Sequence, residues 1–143
     1  MATERSARVE WSGDLINGSG TIARAPSGAF GPLDVSWAAR SEEPNGKTSP
    51  EELIAAAWAA CFAMALSNGL AKGGNAPERL ETSATVTFQP GEGIIKGALT
   101  VRGTVPGMDA DAFDAAANDA VKNCPVSQAM TGVPDVTLDA VLA

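Results

Sequence analysis

The sequence contains no histidine and no tyrosine, and it has only two cysteines, Cys61 and Cys124. Without histidine the chain cannot build a Cys-His or Ser-His-Asp hydrolase site or a histidine metal site. Two cysteines with scattered carboxylates are a poor zinc-binding set, and no G-x-G-x-x-G or Walker A loop is present. We therefore expect no bound metal or cofactor. The side chains left for chemistry are thiols, carboxylates and guanidiniums.

The chain also lacks any run of basic residues, and its formal net charge is −7. A surface that neutralises phosphates needs clustered lysine and arginine, so no nucleic-acid partner is expected. The N-terminal stretch "MATERSARVEWSG" has no apolar segment typical of a signal peptide. The longest apolar run, near residues 53–66, is interpreted as too short and alanine-rich for a membrane span. We expect a cytoplasmic protein with no membrane partner.

With 143 residues, of which 45% are hydrophobic, the chain is expected to form a single domain over residues 1–143. The predicted elements are strands at 7–11, 21–24 and 33–39, a helix at 50–71, a strand hairpin over 80–105, a helix at 109–123, a helical turn within "CPVSQAM" and a strand at 135–143. In the first strand, Ala7, Val9 and Trp11 are expected to face inward. The order β-β-β-α-β-β-α-α-β predicts an α+β fold with helices packed on an antiparallel sheet.

The long predicted helix has a clear start signal. Ser49 is a favourable N-cap, Pro50 suits the first helical position, and Glu52 follows three residues after the cap, as in a capping box. Glu52 is therefore expected to be structural. Glu51 is open to two interpretations, because acids are common in the first turn, where the helix dipole favours them.

The two cysteines differ in their predicted surroundings. Cys61 lies on the apolar stripe of the long helix, where a buried thiol acting as a small hydrophobe is the common alternative. Cys124 precedes Pro125 at a predicted helix start, where the helix dipole favours a thiolate. Together they suggest a redox pair in which one thiol becomes a sulfenic acid and the other condenses with it. Without histidine, an arginine held by a carboxylate is the natural activator of a thiolate.

The paired motifs "SPEELIAAAWAACFAMALS" and "CPVSQAM", together with "EWSGDLINGSGT" and "TVPGMDADAF", resemble the OsmC/Ohr family of organic hydroperoxide reductases. The resemblance spans nearly the whole chain. It implies an OsmC-like fold in an intertwined homodimer, with sheets wrapped around central helices. It also implies a thiol peroxidase of oxidative or osmotic stress defence that reduces organic hydroperoxides to alcohols. A dithiol, such as a lipoylated protein, is the implied reductant.

The resemblance assigns roles by motif. Cys61 matches the peroxidatic cysteine, Cys124 matches the resolving cysteine that closes a disulfide with it, and Glu51 matches the functional glutamate. In the OsmC branch the activating arginine lies on the strand before the helix, which selects Arg40 in "SWAARSEE". In the Ohr branch it lies nearer the N-terminus, where Arg24 is the nearest candidate. The chain resembles the OsmC branch more, so Arg40 is preferred.

Trp58 departs from the family pattern, because relatives often carry histidine or tyrosine there. This departure leaves the pocket shape and the substrate preference open. Trp58, Phe62 and Met64 are expected either to line an apolar mouth that favours organic peroxides or simply to fill the core.

Helix geometry limits how Glu51 can serve the site. Glu51 and Cys61 are ten residues apart, which is roughly 15 Å along a helix axis and about 80° around it. Glu51 therefore cannot touch the thiol of its own helix. If it serves the site, as the resemblance implies, it must come from a partner whose equivalent helix runs antiparallel. We expect an obligate two-fold dimer with two composite sites. Two other functions stay open on the same fold: a non-enzymatic module that binds a small apolar ligand, and a redox-sensing dimer.

Overall fold

The computed structural model describes residues 1–143, which form six strands and four helices. The elements are β1 (Val9–Ser12), β2 (Ser19–Ile22), β3 (Leu33–Val35), α1 (Trp37–Ser41), α2 (Pro50–Lys72), β4 (Arg79–Gln89), β5 (Gly93–Thr104), α3 (Ala110–Asn123), α4 (Pro125–Ala129) and β6 (Asp135–Leu142). The predicted α+β class is confirmed, with one additional short helix. The chain divides into two units, Met1–Leu53 and Ile54–Ala143.

The first unit carries an antiparallel sheet in the order β1-β2-β3. Its middle strand passes close to its neighbours at Gly20, where an added Cβ would lie 2.7 Å from Trp11 Cε3 and 3.0 Å from Val35 Cγ2. Glycine is needed there because any side chain would clash. The expectation that the first strand faces inward is wrong for this unit, since all of β1 is exposed, including Trp11 at 41%.

The third strand is shorter than predicted, and a helix follows it. The apolar alternation continues through Ala39, but β3 ends at Val35. The Ser36 hydroxyl then accepts a hydrogen bond from the N–H of Ala39 at 3.1 Å and caps α1. The cap outweighs the alternation because it satisfies a helix donor that has no other partner. Arg40 therefore lies in the last turn of a short helix, and its expected position on a strand is wrong.

Helix α2 begins where the sequence predicted. The N–H of Glu52 donates to the Ser49 hydroxyl at 3.2 Å, which confirms the N-cap. The Glu52 carboxylate, however, accepts from the Thr48 hydroxyl at 2.7 Å. Its interaction with a hydroxyl outside the helix replaces the second half of the predicted capping box, so the prediction is only partly correct.

Helix α2 is 23 residues long and apolar enough, by length and composition alone, to cross a membrane. The expectation that this run is too short is therefore wrong. A core helix passes the same test, and α2 places one stripe in the core of the second unit, with the side chains of Trp58, Phe62, Leu66 and Leu70 buried at intervals of four residues. Only 22% of its apolar window is buried within the chain, and Met64 is 72% exposed.

The second unit contains a mixed sheet in the order β4-β5-β6. Strands β4 and β5 form the predicted antiparallel hairpin, whereas β6 runs parallel to β5. The expectation of a purely antiparallel sheet is wrong, because α3 and α4 return the chain to the starting end of β5 before β6 begins. The inner face of β5 packs closely on the helices: a Cβ at Gly103 would lie 2.5 Å from Phe113 Cζ.

Candidate active site

The structure brings the two cysteines together in the second unit. Cys124 ends α3, precedes α4 and is completely buried. Cys61, on α2, is half-buried and packs against the same hydrophobic core. Both are free thiols, and their side chains interact with each other. Residues 63 positions apart in the sequence thus form one thiol pair.

The two thiols have opposite ionisation tendencies. Burial raises the pKa of Cys61, the N–H of Val126 offsets part of this effect, and contact with Cys124 raises the pKa further. Burial also raises the pKa of Cys124. However, the Ser127 hydroxyl and N–H, the Cys61 thiol and the N–H of Val126 together bring that pKa below its ordinary value. Within one chain, Cys124 therefore ionises before Cys61.

Ser127, which the sequence reasoning missed, links the thiol pair to the core. Its hydroxyl oxygen accepts a hydrogen bond from Trp58 Nε1 at 2.7 Å. Trp58 and Phe62 are fully buried, which favours the core alternative for both, and Trp58 also lines a cavity together with Ser127. The spacing could have pointed to Ser127, because it is three residues after Cys124, where a helix-start side chain lies near the cap.

The first unit holds a complete ion pair between two of the predicted site residues. Arg40 Nε lies 3.1 and 3.2 Å from the two carboxylate oxygens of Glu51, and Arg40 Nη2 lies 2.8 Å from Oε1. The Glu51 side chain is 8% exposed and the Arg40 side chain is 32% exposed. Such bidentate geometry fixes the guanidinium plane while leaving part of it accessible. Because Arg40 lies in the last turn of α1 and Glu51 in the first turn of α2, the end of one helix and the start of the next position the pair.

Arg24, the alternative activating residue, has a different environment. Its side chain is exposed and donates to the carbonyl of Gly28 at 3.3 Å, within the loop that follows β2. Its contact is with a backbone oxygen, whereas Arg40 contacts a carboxylate. Of the two arginines, Arg40 has the geometry of a guanidinium held in place by a carboxylate.

An apolar groove of about 370 Å³ lies in the first unit beside Arg40. Its lining residues are Val9, Trp11, Leu15, Ile22, Val35, Ser36, Trp37, Arg40, Pro50 and Leu53. A guanidinium at an otherwise hydrophobic groove can bind a polar group whose attached carbon skeleton is apolar.

Comparison with known proteins identifies the family of this chain. The family model described as OsmC-like protein matches residues 43–139. Peroxiredoxin OsmC of Escherichia coli (strain K12) is 39% identical over an alignment of 142 residues that covers 97% of this chain and 96% of that protein. An organic hydroperoxide resistance protein of Xanthomonas axonopodis pv. citri (strain 306) is 36% identical over an alignment of 97 residues that covers 64% of this chain and 65% of that protein. The crystal structure of an organic hydroperoxide resistance protein OsmC from Legionella pneumophila has a TM-score of 0.71 at 25% identity, covering 98% of this chain and 99% of that one. The chain belongs to the OsmC family, as its motifs predicted.

Proposed function

We propose that this protein reduces organic hydroperoxides to alcohols through a Cys61 sulfenic acid and a Cys61–Cys124 disulfide. Membership of the family, whose named relatives include a peroxiredoxin and a hydroperoxide resistance protein, makes the chain a peroxidase-type enzyme. The observation that carries the finer proposal is the contact between the two thiols. A disulfide requires the two sulfur atoms to come within bonding reach, and few pairs of distant cysteines meet that condition by chance.

The reaction begins when the Cys61 thiolate attacks one oxygen of the hydroperoxide. A sulfur–oxygen bond forms, the oxygen–oxygen bond breaks, and the departing alkoxide takes up a proton and leaves as an alcohol. The Cys124 thiolate then attacks the Cys61 sulfur and displaces hydroxide, which is protonated to water. A dithiol reductant restores both thiols by two successive thiol–disulfide exchanges, and becomes a disulfide itself.

Arg40 is the proposed activator of Cys61, and Glu51 positions it. Burial and Cys124 raise the pKa of Cys61 within one chain, so a cation is needed to make it a thiolate near neutral pH. A guanidinium stays charged throughout and has donors for both the thiolate and a peroxide oxygen. The buried Glu51 carboxylate binds Nε and Nη2 of Arg40 and so fixes the orientation of the guanidinium plane.

The active unit is proposed to be a homodimer in which Glu51, and with it Arg40, comes from the partner subunit. Glu51 and Cys61 are on the same unbroken helix, so their ten-residue spacing corresponds to roughly 15 Å along its axis. Arg40 is bound to Glu51 of its own chain, and both therefore serve the partner's thiol pair. Antiparallel contact between two α2 helices would also cover apolar surface such as Met64.

The groove beside Arg40 supports an organic substrate over hydrogen peroxide. Its apolar side chains can bind the carbon skeleton while the guanidinium binds the peroxide group. We propose that residues 1–143 act as one cytoplasmic domain in antioxidant stress response. Its partners would be the hydroperoxide and a dithiol reductant, with neither nucleic acid nor membrane involved.

The test is alcohol formation from cumene hydroperoxide in the presence of a dithiol, with the parent protein and the Cys61→Ser variant. We expect the variant to fall to the uncatalysed rate, because it lacks the nucleophile. After one equivalent of peroxide, the parent should lose two hydrogens in mass and yield a Cys61–Cys124 crosslinked peptide.

The Cys124→Ser variant is the matched control. It should still release about one equivalent of alcohol per chain, because the first step needs only Cys61. Turnover by Cys61→Ser at the parent rate would overturn the proposal. Stoichiometric oxidation without turnover would favour the redox sensor, and ligand binding retained by the double Cys→Ser variant would favour the binding module.

A further inference from the structure

Three neighbouring side chains in the second unit lead from the core to the thiol pair: Trp58, Ser127 and Cys124. The indole N–H of Trp58 donates to the Ser127 hydroxyl oxygen at 2.7 Å. An indole nitrogen can only donate, so Ser127 must be the acceptor in this bond. The single hydrogen of the Ser127 hydroxyl is then directed to another acceptor. Cys124 precedes the same short helix, three residues before Ser127, and the Ser127 hydroxyl lowers the pKa of its thiol.

The position of Ser127 in the helix explains how it reaches the sulfur. Cys124 precedes α4, and Ser127 is in the first turn of that helix, three residues later. A side chain at this position lies beside the residue that precedes the helix. Cys124 makes no side-chain cap hydrogen bond, and the Ser127 hydroxyl acts on its thiol together with the N–H groups of Ser127 and Val126.

Trp58 is held in place by packing. It is fully buried, and its ring lies directly over Gly97 on β5, where an added Cβ would be 2.4 Å from Cζ3. The ring therefore fills the space that a side chain at position 97 would occupy, and the core restricts its rotation. The indole N–H is thus aimed at Ser127 before any substrate arrives.

We propose that Trp58 is a positioning residue for Cys124, and that it acts by fixing the Ser127 hydroxyl so that its hydrogen points to the Cys124 sulfur. This inference rests on the proposed function, in which the Cys124 thiolate attacks the Cys61 sulfenic acid. In that step a sulfur–sulfur bond forms, the sulfur–oxygen bond breaks, and hydroxide leaves as water after protonation. A larger thiolate fraction at Cys124 near neutral pH makes disulfide closure faster.

The test uses the Cys61→Ser variant, in which Cys124 is the single cysteine, and no tyrosine is present to obscure the ultraviolet absorbance of a thiolate. Adding Ser127→Ala should raise the titration midpoint of Cys124 by about one pH unit, the size of a lost hydrogen bond to a charged group. Ser127→Thr keeps the hydroxyl and should leave the midpoint unchanged. All of these proteins lack Cys61. All of them retain Lys122, which lines the cavity beside Trp58 and Ser127.

Adding Trp58→Phe instead should raise the midpoint by about half a pH unit, because a neutral hydrogen bond that orients the hydroxyl is lost. The same change should have no effect when Ser127→Ala is already present. An equal shift in both backgrounds would mean that Trp58 acts by packing, and the inference would be overturned. Trp11→Phe, which removes an indole N–H bonded to the carbonyl of Gly13 at 3.0 Å, is the matched control and should leave the midpoint unchanged.

A second measurement does not depend on changing Trp58, so it decides the matter even if Trp58→Phe does not fold. In the Cys61→Ser protein, the indole N–H resonance of Trp58 should shift with the same midpoint as the Cys124 thiolate, and Ser127→Ala should abolish that shift. A resonance that does not respond to Cys124 ionisation would overturn the inference. Neither measurement uses peroxide, so their outcome is distinguishable from failure of the peroxidase proposal.

Discussion

The ion pair of the first unit and the thiol pair of the second unit are stabilised in different ways. Arg40 and Glu51 are eleven positions apart and are joined by three direct hydrogen bonds between charged groups. Cys61 and Cys124 are 63 positions apart and are held together by the packing of a hydrophobic core. The first arrangement fixes a charge in a defined direction, and the second brings two thiols together by packing.

On the proposed mechanism, neither pair alone makes a peroxidase site. The two thiols are in contact, but within one chain the pKa of Cys61 is raised and that of Cys124 is lowered. The ion pair offers a fixed cation but has no nucleophile of its own. The proposed dimer combines the two, so that the cation is supplied to a thiol whose own surroundings oppose ionisation.

The largest expected effect is on peroxide turnover, when an intact Cys61 and an intact Arg40–Glu51 pair are placed on different chains of a dimer. The Cys61→Ser variant and the Arg40→Gln/Glu51→Gln double variant should each lose at least about a hundredfold in turnover. A heterodimer of the two, isolated with two affinity tags, should regain about half the parent activity, because one of its two composite sites is complete. Peroxide turnover by the purified heterodimer is the measurement.

The reciprocal heterodimer is its control. It pairs a parent chain with a chain that carries all three substitutions, Cys61→Ser, Arg40→Gln and Glu51→Gln. If Arg40 and Glu51 act across the dimer, neither site is complete and activity should be almost absent. Half the parent activity in this heterodimer would show that the ion pair serves the thiol of its own chain.

A smaller effect is expected on stability when the ion pair is broken from one side. Arg40→Ala leaves the buried Glu51 carboxylate without its bidentate partner, and it should lower the free energy of unfolding by about 2–3 kcal/mol. Arg8→Ala is the matched control, since the Arg8–Glu10 pair has 72% exposure on both sides and should change stability by less than about 1 kcal/mol. Urea unfolding measures both, and equal losses would contradict the assigned importance of burial.

The smallest expected effect is on the pH dependence of stability, which should have opposite signs for the two thiols. The pKa of Cys124 is lowered on folding, so the folded state releases this proton first. With Cys124 as the single cysteine, stability should rise as pH increases from the folded pKa towards the unfolded pKa of about 8.5. The pKa of Cys61 is raised mainly by burial. With Cys61 as the single cysteine, stability should fall as pH rises above that unfolded value towards the folded pKa.

Urea unfolding of the two single-cysteine variants at neutral and alkaline pH, each relative to the double Cys→Ser variant, measures this dependence. The subtraction removes the contribution of all other titrating groups, because these are the same in the three proteins. The same sign for both variants would contradict the assigned ionisation order of the thiol pair.

The sequence predicted those elements whose signals are local. Ser49 and Pro50 marked the start of α2, since capping depends on neighbouring residues. Alternation predicted the β4–β5 hairpin, and the paired motifs predicted the family. Prediction was poorer where a local pattern was ambiguous, as between Val35 and Ala39, where alternation continued into a helix. It also failed for the direction of β6, because strand pairing depends on the path of the intervening helices.

The sequence by itself therefore determined the reactive groups: two thiols, no histidine, and arginine as the available cation. The tertiary structure decided which of them meet, because bringing Cys61 and Cys124 into contact depends on packing α2 against the turn between α3 and α4. It also decided the ionisation order and the place of Ser127 and Trp58. A thiol's proton affinity reflects its burial and hydrogen-bond donors, and residues distant in the sequence supply both.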